Sequence, residues 1–388
     1  MSRTLRLPRA DGAVTPYTLS GSAPVSAPAG SIRSRVAFAA VHVVTDPLAD
    51  VSPTLEVALD WEATLAYRRY LWSLGLAVAE AMDTSQRGMG FEWRAAKELI
   101  KRSVAEAKRL DGAVLASGAG TDHLEPGLRV TLADVEAAYE EQCAWIEGCG
   151  GRIILMASRA LAASATSPDD YVKVYGRILS QAREPVIIHW LGEMFDPALA
   201  GYWGSRDLDR ATETLLAIVA EYASKVDGVK ISLLDQRREI AMRRRFPPAV
   251  RMYTGDDFDY PTTIRGDGER ASDALLGIFD VIAPAAAAAL KALDAGDLGR
   301  YEAILAPTLP LSRHVFGAPT RFYKTGVVFA AYLNGHQSHF RMVGGLEGAR
   351  SIAHLAEQFV LMDRAGLLRD PDLAAERMRR VLAVAGIE

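Results

Sequence analysis

The chain has 388 residues, 49% hydrophobic and 24% charged, a globular balance that argues against disorder and suits one large domain with extensions. A formal net charge of −4 removes the electrostatic reason to expect nucleic acid, and the basic run through Arg237, Arg238, Arg243, Arg244 and Arg245 is broken at helical spacing, as on a solvated helix face. No stretch reaches the roughly 18 uninterrupted apolar residues of a membrane span, so no membrane partner is expected.

Residues 1–33 are rich in Pro, Gly, Ser and Ala, with alternating patches at Thr4-Leu5-Arg6-Leu7 and Tyr17-Thr18-Leu19 that suit a small hairpin. They hold no apolar core of signal-peptide length, and a cytoplasmic protein is expected. From Arg35 onward, short apolar runs alternate with amphipathic helical stretches, the pattern of βα units. The first run, 36–44, contains His42, expected as a hydrogen-bonded core histidine. Asp60 is placed to cap a helix over 61–74, with Gly75 as its stop. The second run, 76–82, leads into Asp83-Thr84-Ser85-Gln86-Arg87-Gly88-Met89-Gly90, a loop dense in hydroxyls and glycines, and then a helix over 91–110. The third, 113–117, enters Gly118-Ala119-Gly120-Thr121-Asp122-His123.

A helix over 132–147 carries Cys143, with Cys149 just beyond it. The pair makes neither a metal spacing nor a disulfide framework, which fits a reducing compartment. The fourth run, 152–157, meets Ser158 and Arg159; the fifth, 185–190, holds His189; the sixth, 226–234, holds Lys230 and Ser232. The seventh, 249–254, meets Gly255-Asp256-Asp257, and the eighth covers 274–279. Eight such alternations predict a (β/α)8 TIM barrel over 34–283, with an N-terminal extension over 1–33 and a helical C-terminal extension over 284–388. That extension is expected to cover the barrel flank or join copies into a homo-oligomer, with His336 and His339 at a helix surface or interface.

Lys230 is the residue of most chemical interest. In an apolar strand its ammonium must reach water, pair with an acid such as Asp227 or Asp235, or lose its proton. The last outcome makes a nucleophilic amine. Active sites of such barrels form at the carboxy-terminal strand ends, which selects Thr45, Asp46, Glu80, Asp83, Thr84, Ser85, Asp122, His123, Ser158, Arg159, His189, Lys230, Ser232, Asp256 and Asp257. A neutral amine with a nearby proton-moving group is what imine chemistry requires.

The order of these motifs over roughly 35–290 resembles the dihydrodipicolinate synthase and N-acetylneuraminate lyase family of Schiff-base aldolases, in a divergent branch. Gly228-Val229-Lys230 followed by Ser232 is similar to the family's imine-forming strand, and Pro185-Val186-Ile187-Ile188-His189 to the strand ending in its relay tyrosine. Asp83-Thr84-Ser85-Gln86-Arg87 falls on its keto-acid carboxylate loop, Gly118-Ala119-Gly120-Thr121 on its third-strand glycine segment, and Gly255-Asp256-Asp257 on its seventh-strand turn. The chain departs from the pattern where His189 replaces the relay tyrosine and where Leu191-Gly192-Glu193-Met194 lacks the following arginine. Arg159 stands near the place of a further tyrosine, and Gln86-Arg87 replace a Gly-Glu pair.

The resemblance implies a lyase or aldolase that joins Lys230 to a keto acid or sugar-derived carbonyl compound, with no cofactor beyond the lysine imine. His189 and Thr84 are then the proton-relay residues, and Ser85, Arg87, Arg159, Ser232, Asp256 and Asp257 the substrate-binding ones. Two other readings stand beside it. Glu80, Asp122, His123 and His189 offer ligands to a divalent metal, as in a sugar isomerase or epimerase; or the barrel binds such a ligand without turnover.

Overall fold

The computed structural model describes residues 3–28, 30–124 and 129–387. Strands β1 (Thr4–Pro8) and β2 (Val14–Thr18) pair antiparallel as the expected hairpin. Eight further strands are parallel: β3 (Ala37–Ala40), β4 (Ala77–Glu80), β5 (Leu115–Ala119), β6 (Arg152–Leu155), β7 (Val186–Leu191), β8 (Val226–Ser232), β9 (Arg251–Thr254) and β10 (Asp273–Leu276). They close in chain order, β10 pairing back onto β3, and with their flanking helices form a (β/α)8 barrel. The chain divides into two compact units, one of residues 35–41 and 77–276, the other of 1–34, 42–76 and 277–388. The closed barrel lies wholly within the first.

Each barrel strand is short and nearly all buried, as a sheet covered on both faces requires. Phe38, Ala40, Ala77, Ala79, Met82, Ala116, Ile154, Ile187, Tyr253 and Leu275 pack into one core cluster. Since side chains alternate along a strand, Ile187 puts His189 on that same inner face. The register matches His189 to Lys230 and Lys230 to Tyr253, so all three point inward. The same parity turns Glu80 outward, one residue after Ala79.

Local signals set the barrel helices. Thr131 and Asp134 form a capping box at the start of Leu132–Cys149, which ends on Gly150 in the left-handed region; Cys149 is thus the helix's last residue rather than lying beyond it. Asp207 caps Leu208–Glu221 through two backbone amides. A short helix the sequence did not suggest, Arg159–Ser164, starts on Ser158, whose hydroxyl accepts from the Leu161 amide.

The other unit contains the hairpin and helix Trp61–Ser73, capped by Asp60 as expected. Among the described residues it also holds six α-helices of seven or more residues: Ala283–Asp294, Leu298–Leu305, Leu309–Val315, Tyr323–Leu333, Ile352–Arg364 and Pro371–Val384. In the alanine-rich Ala283–Asp294 the run Ala285 to Ala289 is buried throughout. His42 is a hydrogen-bonded core residue as expected, its Nδ1 2.7 Å from Asp280. His336 differs from expectation. It sits in the turn after Tyr323–Leu333 with its ring against Tyr67 and Tyr70, centroids 4.9 and 4.5 Å away, and not on a helix surface. Among the described residues no helix is long and apolar enough to cross a membrane.

Candidate active site

At the carboxy-terminal end of β8, Lys230 is 4% exposed and makes no hydrogen bond or ion pair among the described residues. The acids suggested as its partners are engaged elsewhere. Asp227 accepts from the Tyr253 hydroxyl at 2.7 Å and pairs with Arg152, while Asp235 caps helix Gln236–Arg245 through the Arg238 amide. Burial pushes the Lys230 pKa below that of an ordinary lysine, and the carboxylates of Asp83 and Asp257 oppose the shift.

On the neighbouring strand His189 is 1% exposed, and its Nε2 lies 3.2 Å from the Ser232 hydroxyl. Burial first, and the lysine charge second, drive its pKa well below the usual histidine value, with Asp83 opposing. A ring held neutral can accept a proton at physiological pH and cannot stand ready as a cation. Ser232 sits close under the following turn: a Cβ on Gly255 would collide with the Ser232 hydroxyl and come within 2.5 Å of the Ile231 carbonyl, so only glycine fits there.

A cavity of ≈490 Å3 opens at this end, with Asp83, His189, Thr121, Met156, Arg129 and Arg159 among its lining. Lys230 is not among its lining residues; it lies beside His189 on the adjacent strand β8. Asp83 therefore joins the site on two counts, as cavity wall and as the carboxylate that acts on both the lysine and the histidine. Sequence reasoning placed it at a strand end without giving it a role.

The remaining residues separate into groups. Thr84 and Ser85 are buried in the turn Asp83–Ser85, and the Ser85 hydroxyl donates to the Val41 carbonyl at 2.6 Å. Arg87 lines the cavity, yet its five N–H donors are all taken. Two go to the Asp122 carboxylate, one at 2.8 Å; two go to the Ala81 and Gly118 carbonyls at 3.1 and 3.2 Å; the last goes to Gln142 at 2.9 Å. None remains for a substrate anion, which corrects its expected binding role. Burial alone would raise the Asp122 pKa, but the Arg87 charge and hydrogen bonds hold it below the carboxylate range.

Arg159 is half exposed, bound to Asp196 at 2.5 Å and to the Gly88 carbonyl at 3.2 Å, and faces the cavity. Asp256 caps its own turn, accepting from the Phe258 amide at 2.9 Å, and does not line the cavity. Asp257 is the closer of the two in effect, since its charge reaches Lys230.

The four residues of the metal reading are dispersed. Glu80, facing outward, accepts from the Ser103 hydroxyl at 2.6 Å and from the Ala81 amide at 2.9 Å. His123 turns to the helix Leu132–Cys149, 2.8 Å from Gln142 and 3.3 Å from Glu141. Among the described residues no group of three or more His, Cys, Asp or Glu could hold a metal ion. The expected ligand set does not converge, because strand parity and helix contacts pull its members apart.

Solved structures resemble this fold. A dihydrodipicolinate synthase from Aquifex aeolicus is 14% identical, with a TM-score of 0.59, over 91% of this chain and 98% of that one. A prophage protein of the dihydrodipicolinic acid synthase family from E. coli K12, solved with pyruvate, is 13% identical with a TM-score of 0.67, over 86% and 99%. The chloride-inhibited dihydrodipicolinate synthase from Acinetobacter baumannii, also complexed with pyruvate, is 14% identical with a TM-score of 0.63, over 86% and 99%. At the level of the fold this bears out the resemblance read from the strand ends. No curated protein matches the sequence. A family model does match, over residues 5–387, and the chain belongs to that family, described as a protein of unknown function (DUF993).

Proposed function

We propose that the protein is a lyase of the aldolase or dehydratase type that forms an imine between Lys230 and a small keto acid or sugar-derived carbonyl compound. The observation that carries this reading is a buried lysine with no hydrogen bond or ion pair among the described residues, in register with a neutral histidine. The pyruvate bound in two of the similar structures supports the substrate class.

In this scheme the neutral Nζ attacks the carbonyl carbon to give a carbinolamine, and loss of water leaves the imine. The protonated imine then withdraws electrons, so that a proton or a carbon fragment leaves the adjacent carbon and an enamine forms. His189, neutral and beside Ser232, is the base that takes protons, and Asp83 stabilises the positive charge that develops on lysine or histidine. Thr84 is the second relay residue. Arg159 and Arg129, which face the cavity, hold the anionic part of the substrate, a role Arg87 has no donor left to fill. Such positioned proton transfer contributes about 10² to 10⁴ in rate.

The test is exchange of the pyruvate methyl protons in D2O, followed by NMR. Wild type is expected to exchange them and Lys230→Met to lose all exchange. The absence of Lys230 from the cavity lining favours a second reading, a barrel that binds without turnover; saturable pyruvate binding with no exchange in wild type would establish that reading instead.

A further inference from the structure

The ≈490 Å3 cavity holds more than the chemistry at Lys230 and His189 requires. Its volume lies within the range of about 300–1,000 Å3 for ligand pockets, and a keto acid as small as pyruvate would leave most of it empty. What fills the rest is set by the lining.

Side chains alternate along β7, so the next inward position after His189 is Leu191, about 7 Å closer to the mouth. Ile154 on β6 belongs to the inner core cluster, and Met156, two residues on, packs against that cluster and lines the cavity. In the helix Arg159–Ser164, Ala160, Ala163 and Ser164 stand three and four positions apart and share the face that lines the cavity. The Ser164 hydroxyl turns back to the Ala160 carbonyl at 2.7 Å. Leu199, buried in the turn Pro197–Leu199, adds to this wall. From His189 outward the wall is therefore mostly carbon.

The polar groups of the lining are largely committed to the protein itself. Arg87 has no donor left, and the Thr121 hydroxyl lies 2.6 Å from that of Ser158. Asp122 accepts from Arg87 and Gln142, and Asp196 from Arg159 and the Ala198 amide. A polyhydroxylated chain gives up hydrogen bonds to water as it enters, and that loss is recovered only where partners wait. A hydrocarbon chain has no such cost and gains by leaving water. Arg129, exposed and with no hydrogen bond or ion pair among the described residues, remains for one carboxylate.

We infer that the substrate is a 2-oxo acid whose chain beyond the carbonyl is hydrocarbon, lying along Met156, Leu191, Leu199 and the face of Ala160 and Ala163. This rests on the reading of the cavity as the carbonyl-binding site and narrows it away from sugar-derived compounds.

The experiment is calorimetric titration of the full chain with pyruvate, 2-oxohexanoate, 2-oxoglutarate and 2-oxogluconate, each followed by borohydride reduction and peptide mapping. 2-Oxohexanoate is expected to bind at least about tenfold more tightly than pyruvate, since each fully buried methylene is worth about fourfold, and more tightly than the two acids with polar chains. Leu191→Asn, and Ala163→Gln on the exposed helix face, should each cut that preference over pyruvate several-fold. Should Leu191→Asn fail to fold, Ala163→Gln decides. 2-Oxoglutarate or 2-oxogluconate binding as tightly as 2-oxohexanoate, or a preference unchanged by Ala163→Gln, would overturn the proposal whether or not Lys230 carries the adduct. The expected preference without any adduct on Lys230 would instead overturn the imine reading and uphold this one.

Discussion

Replacing Arg87 by methionine tests the framework beneath the candidate active site. The substitution takes two donors from Asp122, one from Gln142 and one each from the Ala81 and Gly118 carbonyls. Removing one partner of a buried ion pair costs about 3–5 kcal/mol. The Asp122 side chain is 18% exposed, so water recovers part of the loss and the lower figure of about 3 kcal/mol applies. For a unit of this size the melting temperature should then fall by about 6–12 °C. The assay is urea and thermal unfolding of Arg87→Met, Asp122→Asn and the double variant. Once the orphaned charge is also gone the double variant should be more stable than the sum of the single losses, by roughly 0.5–3 kcal/mol. The Asp122 pKa is depressed in the folded state, so this stabilisation is present above the unfolded value of about 3.9 and is lost as pH falls through the folded value. Wild type and Arg87→Met should therefore converge in acid. A loss below about 1 kcal/mol at neutral pH, or simple additivity, would refute the network's role.

His336, with a folded pKa of about 4 against about 6.5 unfolded, withholds a proton that the unfolded chain binds, so stability falls as pH drops from about 6.5 to 4. The loss is at most about 3.4 kcal/mol at 1.36 kcal/mol per pH unit, and a pH series of unfolding curves should show it reduced in His336→Gln. Glu239 works in the opposite direction. Burial raises it to about 7, so its contribution is intact below the unfolded value and is lost as pH rises from about 4.5 to 7. Glu239→Gln should match wild type near pH 4.5 and exceed its stability at pH 8 by up to about 3 kcal/mol, whereas an unchanged difference between the two pH values would count against that assignment. Gly255→Ala drives a Cβ into the Ser232 hydroxyl and the Ile231 carbonyl and should cost about 1–3 kcal/mol, with slower proton exchange because Ser232 contacts His189. Gly148→Ala meets nothing within 4 Å and should be neutral or stabilising by the same melting measurement.

The barrel was legible because its strands are short apolar runs buried on both faces, so that even without clean alternation their spacing against amphipathic helices carried the topology. Lys230 and His189 were legible as polar residues inside such runs. Strand parity held further information that residue type alone did not: counting from Ala77 and Ala79 turns Glu80 outward, and counting from Ile187 turns His189 inward. The loss of Arg87 as an anion grip was not legible, because its closing partner, Gln142, is a polar residue in mid-helix, 55 positions away, with nothing in its surroundings to mark it. His123 was misplaced for the same reason, since its position is set by Gln142 and Glu141 on that helix rather than by its strand end.

The most direct test of the central claim is borohydride reduction of the protein in the presence of pyruvate, followed by peptide mass mapping. Imine chemistry at Lys230 predicts a reduced pyruvate adduct on the peptide carrying Lys230, formed in His189→Gln as well and absent from Lys230→Met. An adduct on another lysine, or none under conditions where pyruvate binds, would contradict it.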